Sequence, residues 1–258
     1  VTAPHAAVAP LLERFAAEIS AVVPVVALWA HGSLALGDFR PGRSDLDLVA
    51  VADAELTDVQ GERLRAVHRG LVAEDPLAVT LHCAYLSRTD LADAGREHPT
   101  WAQGEWFERP VSPVSRRELA VGALVLHGPP PVGLLPPVSD AELTGFIREE
   151  LGGYWLRAAD RPELWHQDIW VDLGMLTLAR ASVTLRDGRL VTKREALDEL
   201  RALGAPEAVV EDIRRRRYGP DGTAADGAGT DTAPGRPAGR GELARTFVRS
   251  AITGVLAR

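Results

Sequence analysis

A single cysteine in 258 residues, Cys83, has no partner for an internal disulfide. The chain is therefore no stapled secreted scaffold, and a reducing compartment suits it. Cys83 lies in an apolar run, where an unpaired cysteine ordinarily serves as a small buried hydrophobe. No apolar run approaches the ~20 residues that span a bilayer. Nor does a basic stretch followed by an apolar core open the N-terminus. Both absences lead us to expect a cytoplasmic location and no membrane partner. Positive charge is in the minority, with 29 Lys and Arg against 36 Asp and Glu and a net charge of −7. Without a basic stripe no nucleic-acid partner is expected, and a cationic small molecule suits the balance better. Hydrophobic content of 46% and charged content of 25% are those of a globular chain. Its length allows one large or two modest domains.

The informative stretch runs from Val25 to Val51. An apolar run, Val25 to Ala30, ends at His31-Gly32-Ser33, and a second, Val/Leu-rich run follows Arg43-Ser44-Asp45-Leu46-Asp47. The pattern is strand, glycine turn, short connection, strand. Asp45 and Asp47 are two apart, so on a strand both side chains leave one face, roughly 6–7 Å apart. Two carboxylates at that spacing suit Mg²⁺, which takes one or two protein carboxylates and completes its shell with substrate phosphates. Gly32 lets a backbone come close to a phosphate, and Ser33 can donate to it through its hydroxyl and N–H. An isolated Asp-x-Asp is most often a solvated surface pair. The Gly-Ser turn upstream, between two apolar strands, is what makes this pair a candidate metal and catalytic site.

Around it, helical spacing of Leu11, Leu12, Phe15 and Ile19 predicts a helix over 5–20, and a second covers 57–73 behind a Thr57 cap. A third strand is expected over 77–86. Residues 99–113 read as a loop punctuated by Pro99, Gly104 and Pro110. Ser115-Arg116-Arg117-Glu118 reads as a capping box. The proline-rich segment from Val125 to Pro137 separates a domain over 1–128 from one over 138–258. In the latter only helices are expected: 140–158, 168–185 ending at Gly188, one opened by Thr192 and Glu195, and 206–218. Residues 219–240 have no large apolar side chain and read as a disordered loop. A last helix spans 241–258.

The pattern of Gly32-Ser33, a spacer and Ser44-Asp45-Leu46-Asp47-Leu48 resembles the active-site signature of the polymerase-β-like nucleotidyltransferase superfamily. Leu176 to Arg180, Thr184-Leu185, Gly188, Lys193 with Ala196 and Leu197, and Gly104-Glu105-Trp106 resemble aminoglycoside (streptomycin/spectinomycin-type) adenylyltransferases, antibiotic-resistance enzymes. The likeness runs from about residue 10 to 218. It implies a fold of two classes: an α/β nucleotidyltransferase domain, a small mixed sheet with helices, followed by an all-α C-terminal helical bundle. It implies a monomeric, Mg²⁺-dependent enzyme with ATP as co-substrate, transferring AMP to a hydroxyl of a small cationic acceptor and releasing pyrophosphate. Carried over by position, Asp45 and Asp47 are the catalytic metal ligands. Gly32, Ser33, Ser44, Lys193 and Tyr218 meet the nucleotide, and Trp106 and Asp172 meet the acceptor. Five tryptophans (101, 106, 155, 165 and 170) fall between residues 101 and 170, and one or two of them are expected to line a pocket. The resemblance places a glutamate base on the third strand, a position that aligns with Ala78 here, with His82 four residues on. Two alternatives therefore stand beside the transferase: a nucleotide-binding relative with lost or changed activity, and a protein-modifying nucleotidyltransferase.

Overall fold

The computed structural model describes residues 5–219 and 237–257. The chain divides into two compact units, Val1–Ser139 and Asp140–Arg258.

The first unit is a mixed six-stranded sheet with helices. In chain order it comprises α1 (Ala9–Ser20), β1 (Val25–Ala30), the short α2 (Gly32–Ala35), β2 (Leu46–Ala52) and α3 (Asp58–Glu74). After these come β3 (Leu81–Ser87), β4 (Glu97–Ala102), β5 (Glu105–Pro110), α4 (Pro113–Gly122) and β6 (Leu124–His127). The strand order is β5-β4-β3-β2-β1-β6. Only β2 and β3 run parallel; the other neighbours are antiparallel. The central strands are buried on both faces, and their side chains alternate between two cores as the period of two requires. Leu46, Leu48, Ala50, Leu81, Cys83 and Tyr85 join Phe15, Ile19, Leu64 and Leu71 of α1 and α3. Ala27, Trp29, Val49, Val51 and Leu86 join Leu119 of α4 on the other side. Cys83 is sealed in the first core, and burial raises its thiol pKa so that it stays protonated.

Three expectations for this unit are corrected. The third strand begins at Leu81, because Pro76–Thr80 form a 3₁₀ turn capped by the Asp75 side chain. Ala78 is buried in that turn and is not a strand position. Residues 99–110 belong to the β4–β5 hairpin, whose two-residue turn has φ of 53° at Gln103 and 78° at Gly104. Two left-handed central residues match the right-handed twist of the strands. Pro99 argued against a strand, but it sits where β4 has already parted from β3. The cap of α4 is Ser112, whose hydroxyl accepts from the Ser115 N–H at 3.1 Å, with Pro113 in the first turn. Glu118 therefore has no capping role.

The second unit is helical among the described residues: α5 (Asp140–Glu150), a π-helical turn (Leu151–Trp155), α6 (Leu156–Ala159), α7 (Asp168–Asp187), α8 (Lys193–Ala202), α9 (Glu207–Tyr218) and α10 (Arg240–Leu256). Gly188 closes α7 in the left-handed conformation. Thr192 and Glu195 cap each other at the start of α8. Trp165 packs closely on α7, where a Cβ on Gly174 would lie 2.5 Å from its ring. Most of the expected 219–240 loop lies outside the described residues, but its last residue is corrected. Arg240 is fully buried at the head of α10, pairing with Asp168 of α7 and, at 2.8 Å, with Asp212 of α9. A long cationic side chain in a Gly/Pro-rich stretch gave no sign of burial, because its partners are far away in sequence.

Candidate active site

Asp45 immediately precedes β2 and Asp47 is its second residue. Both share the parity of Val49 and Val51, so they belong to the sheet face that α4 covers. The β1–β2 ladder continues to this end of the sheet, where the His31 N–H donates to the Asp47 carbonyl at 2.9 Å. The chain then turns at Gly32 with φ of 62°, and a Cβ there would lie 2.7 Å from Asp47 Oδ2. Glycine is needed here twice, for the backbone angle and for the space beside the carboxylate. Ser33 follows in the first turn of α2. Ser44 is 1% exposed, and its hydroxyl accepts from the Arg40 N–H at 3.0 Å. It braces the loop that delivers Asp45.

On the neighbouring parallel strand the residue in register with Asp47 is His82. Its Nδ1 lies 3.5 Å from Asp47 Oδ1. The structure thus replaces Ala78 with His82 as the side chain beside the second aspartate. A further pair escaped the sequence reading: His31 Nδ1 and Glu118 Oε2 are 2.9 Å apart, both largely buried. Burial opposes a charge on His31, but the hydrogen bond to Glu118 and the field of Asp47 outweigh it and raise the imidazole pKa. His31 was visible only as the neighbour of Gly32, and the serine three residues before Glu118 had suggested a cap. Among the described residues no three His, Cys, Asp or Glu side chains converge as a metal cluster. A hard cation here would rest on two carboxylates and on the oxygens of its ligand.

The other nominated residues are placed as follows. Trp106 is half-buried on the opposite, α3 face of the sheet, packed on Tyr85 with ring centroids 5.5 Å apart and covered by Arg65. The structure gives it a packing role and does not bring it to the aspartates. Trp101, Trp155 and Trp165 are buried, whereas Trp170 is half-buried. In the helical unit, Lys193 is the first residue of α8. The Arg194 guanidinium stands 4.1 Å from the ring centre of Tyr218, which ends α9. Asp172 is held by Arg216 at both guanidinium nitrogens, one at 2.6 Å. The Arg214–Arg217 run is largely spoken for: Arg214 meets Asp198, Arg215 and Arg216 meet Asp212, and Arg217 leans on Tyr218.

Residues 12–89, which carry both aspartates, the Gly32-Ser33 turn and His82, match the family model described as nucleotidyltransferase domain. This unit is a nucleotidyltransferase domain. Over 95% of the chain, the nucleotidyltransferase domain and the helical unit together share the fold of a spectinomycin adenyltransferase, AAD(9), from Enterococcus faecialis, solved with ATP and spectinomycin. That match covers 98% of the solved chain with a TM-score of 0.71 at 14% identity. No curated protein matches in sequence. Nucleotidyl transfer is the chemistry to which a domain of this family and fold belongs.

Proposed function

We propose that the protein transfers AMP from ATP to a hydroxyl of a small, cationic acceptor of the aminoglycoside type, releasing pyrophosphate. The observation that carries this reading is the aspartate pair held against the Gly32-Ser33 turn. The donor set fits Mg²⁺: two carboxylates two residues apart, with space beside Asp47 Oδ2 that a single methyl group on residue 32 would fill. When bound there, such a cation neutralises the triphosphate and acidifies an acceptor hydroxyl.

The chain's own residues supply position. Gly32 admits the phosphates, Ser33 donates to them through its N–H and hydroxyl, and Ser44 holds the loop in shape. His82, 3.5 Å from Asp47 Oδ1, positions that carboxylate, as partners of metal-binding carboxylates do, and the His31 N–H holds the Asp47 backbone. The family resemblance alone assigns Lys193 and Tyr218 to the nucleotide and Asp172, held here by Arg216, to the acceptor. The acceptor oxygen bonds to the α-phosphorus as the bond to the pyrophosphate oxygen breaks, and the hydroxyl proton is released to solvent. Support for ATP, and for an amine-bearing antibiotic, comes from the ligands named for the solved protein of the same fold.

The test is pyrophosphate release with ATP and Mg²⁺ over a panel of aminoglycosides and spectinomycin, with mass spectrometry of the acceptor. An acceptor heavier by one AMP is expected, and Asp47→Asn should lower the rate by about 10³-fold or more. ATP binding with no modified acceptor anywhere in the panel would overturn the acceptor class. Full activity of Asp47→Asn would overturn the site.

A further inference from the structure

β5 closes one side of the nucleotidyltransferase sheet, and among the described residues no strand lies beyond it. All of its residues are exposed except Trp106, which is half-buried. Such an edge presents backbone N–H and C=O groups to another chain. The hairpin register says which ones. Facing residues of an antiparallel pair are alternately bonded and not bonded to each other, and a bonded pair flanks a two-residue turn. Ala102 and Glu105 flank this turn. Glu105, Phe107 and Arg109 therefore spend their backbone groups on β4, while Trp106 and Glu108 direct theirs outward. The prolines obey the same alternation. Pro99 faces Glu108 and Pro110 faces Glu97, both at non-bonded pairs where a missing N–H costs the hairpin nothing.

This edge is complementary to itself. Two copies of β5 can meet antiparallel across a twofold axis with Phe107 opposite Phe107. Trp106 then faces the partner's Glu108, Glu108 faces the partner's Trp106, and each pair exchanges both of its outward hydrogen bonds. In the same register Glu105 stands opposite the partner's Arg109, and Arg109 opposite the partner's Glu105. These are non-bonded pairs, whose side chains approach most closely, and opposite charges there are favourable. Neither Glu105 nor Arg109 has an ion-pair partner among the described residues. Phe107, 37% exposed beneath its own Arg109, would be covered by its twin. On the other sheet face, the partner's Glu108 approaches Trp106, where the Arg65 guanidinium stands 5.1 Å from the ring centre and also meets Glu62. Neighbouring registers lose this match. Centring on Glu108 sets that carboxylate against itself and calls on the N–H that Pro110 lacks. Centring on Trp106 sets Glu105 against Phe107 and carries Arg109 past the strand to the partner's turn.

We infer that the protein self-associates through β5, two copies joining their sheets into one across a twofold axis at Phe107, in place of the monomer that the resemblance implies. The inference does not rest on the transferase assignment. Six residues a side make a small interface, so the dimer is weak and forms reversibly with concentration.

Sedimentation equilibrium of the full chain from about 1 to 500 µM at low salt tests it, with a dimer expected to become appreciable above about 10 µM. Glu105→Arg sets arginine against arginine at both symmetric places and should weaken the dimer about tenfold. Adding Arg109→Glu restores opposite charges and should restore the dimer. Glu108→Pro removes an N–H that β4 does not use and should leave a folded monomer by circular dichroism. If that variant does not fold, the charge reversal and its rescue still decide the matter. A monomer at every concentration, as an edge kept for a foreign peptide would give, overturns the inference. So does a dimer indifferent to Glu105→Arg, or a reversal that Arg109→Glu does not rescue.

Discussion

Gly32 is under the tightest constraint in the site, because its φ of 62° and the Asp47 carboxylate 2.7 Å from a virtual Cβ both exclude a side chain. Gly32→Ala is expected to cost about 1 kcal/mol of stability through the left-handed angle. It should cost far more in turnover, because the methyl group displaces the carboxylate. Chemical denaturation and pyrophosphate release, measured on the same preparation, separate the two. The aspartates, Gly32 and Ser33 were legible in the sequence because their meaning lies in short spacing along one hairpin. His31, Glu118 and the true place of His82 were not. Glu118 reaches His31 across 87 positions, and the pairing of His82 with Asp47 depends on a parallel register that no local pattern encodes.

Among the elements, α3 and β3 are tied by His68, whose Nε2 lies 2.8 Å from the Tyr85 hydroxyl while its ring stacks on Trp101. Burial lowers its pKa from 6.5 to about 3. The folded chain therefore takes up this proton later than the unfolded chain, and the stability present above pH 6.5 drains away as pH falls towards 3. The slope is about 1.4 kcal/mol per pH unit. His68→Gln keeps a hydrogen-bonding group but cannot titrate, so its urea midpoint should vary less with pH across that window. Arg240 plays the comparable part for α10, and Arg240→Ala removes the cation that Asp168 and Asp212 share, while the fully buried Asp168 keeps Arg216 at 3.9 Å. A loss of about 3–5 kcal/mol in denaturant unfolding is expected. Of the helices with capping boxes, α3 was readable to within a residue or two at both ends and α8 at its capped start. The β4–β5 hairpin was not, since its two prolines and glycine turn carry the composition of a loop and only β3 reveals the strand.

For the whole molecule, the net charge of −7 sets the long-range behaviour towards the proposed cationic acceptor. The apparent second-order rate with such an acceptor should fall as salt rises from about 0.01 to 0.15 M, the range over which the screening length shrinks from about 30 to 8 Å. A neutral acceptor should show little change. Stopped-flow or steady-state measurements over that range decide the point. One feature of the core also makes the molecule unusually convenient to watch. Its sole thiol, on Cys83, is closed off inside the first core and kept protonated there. Alkylating reagents should pass it by, and a cysteine introduced on the surface would be the single site they find. Lys193 is likewise the sole lysine. A dye at one chosen surface position and an amine label on Lys193 would give a pair of optical markers in the intact chain.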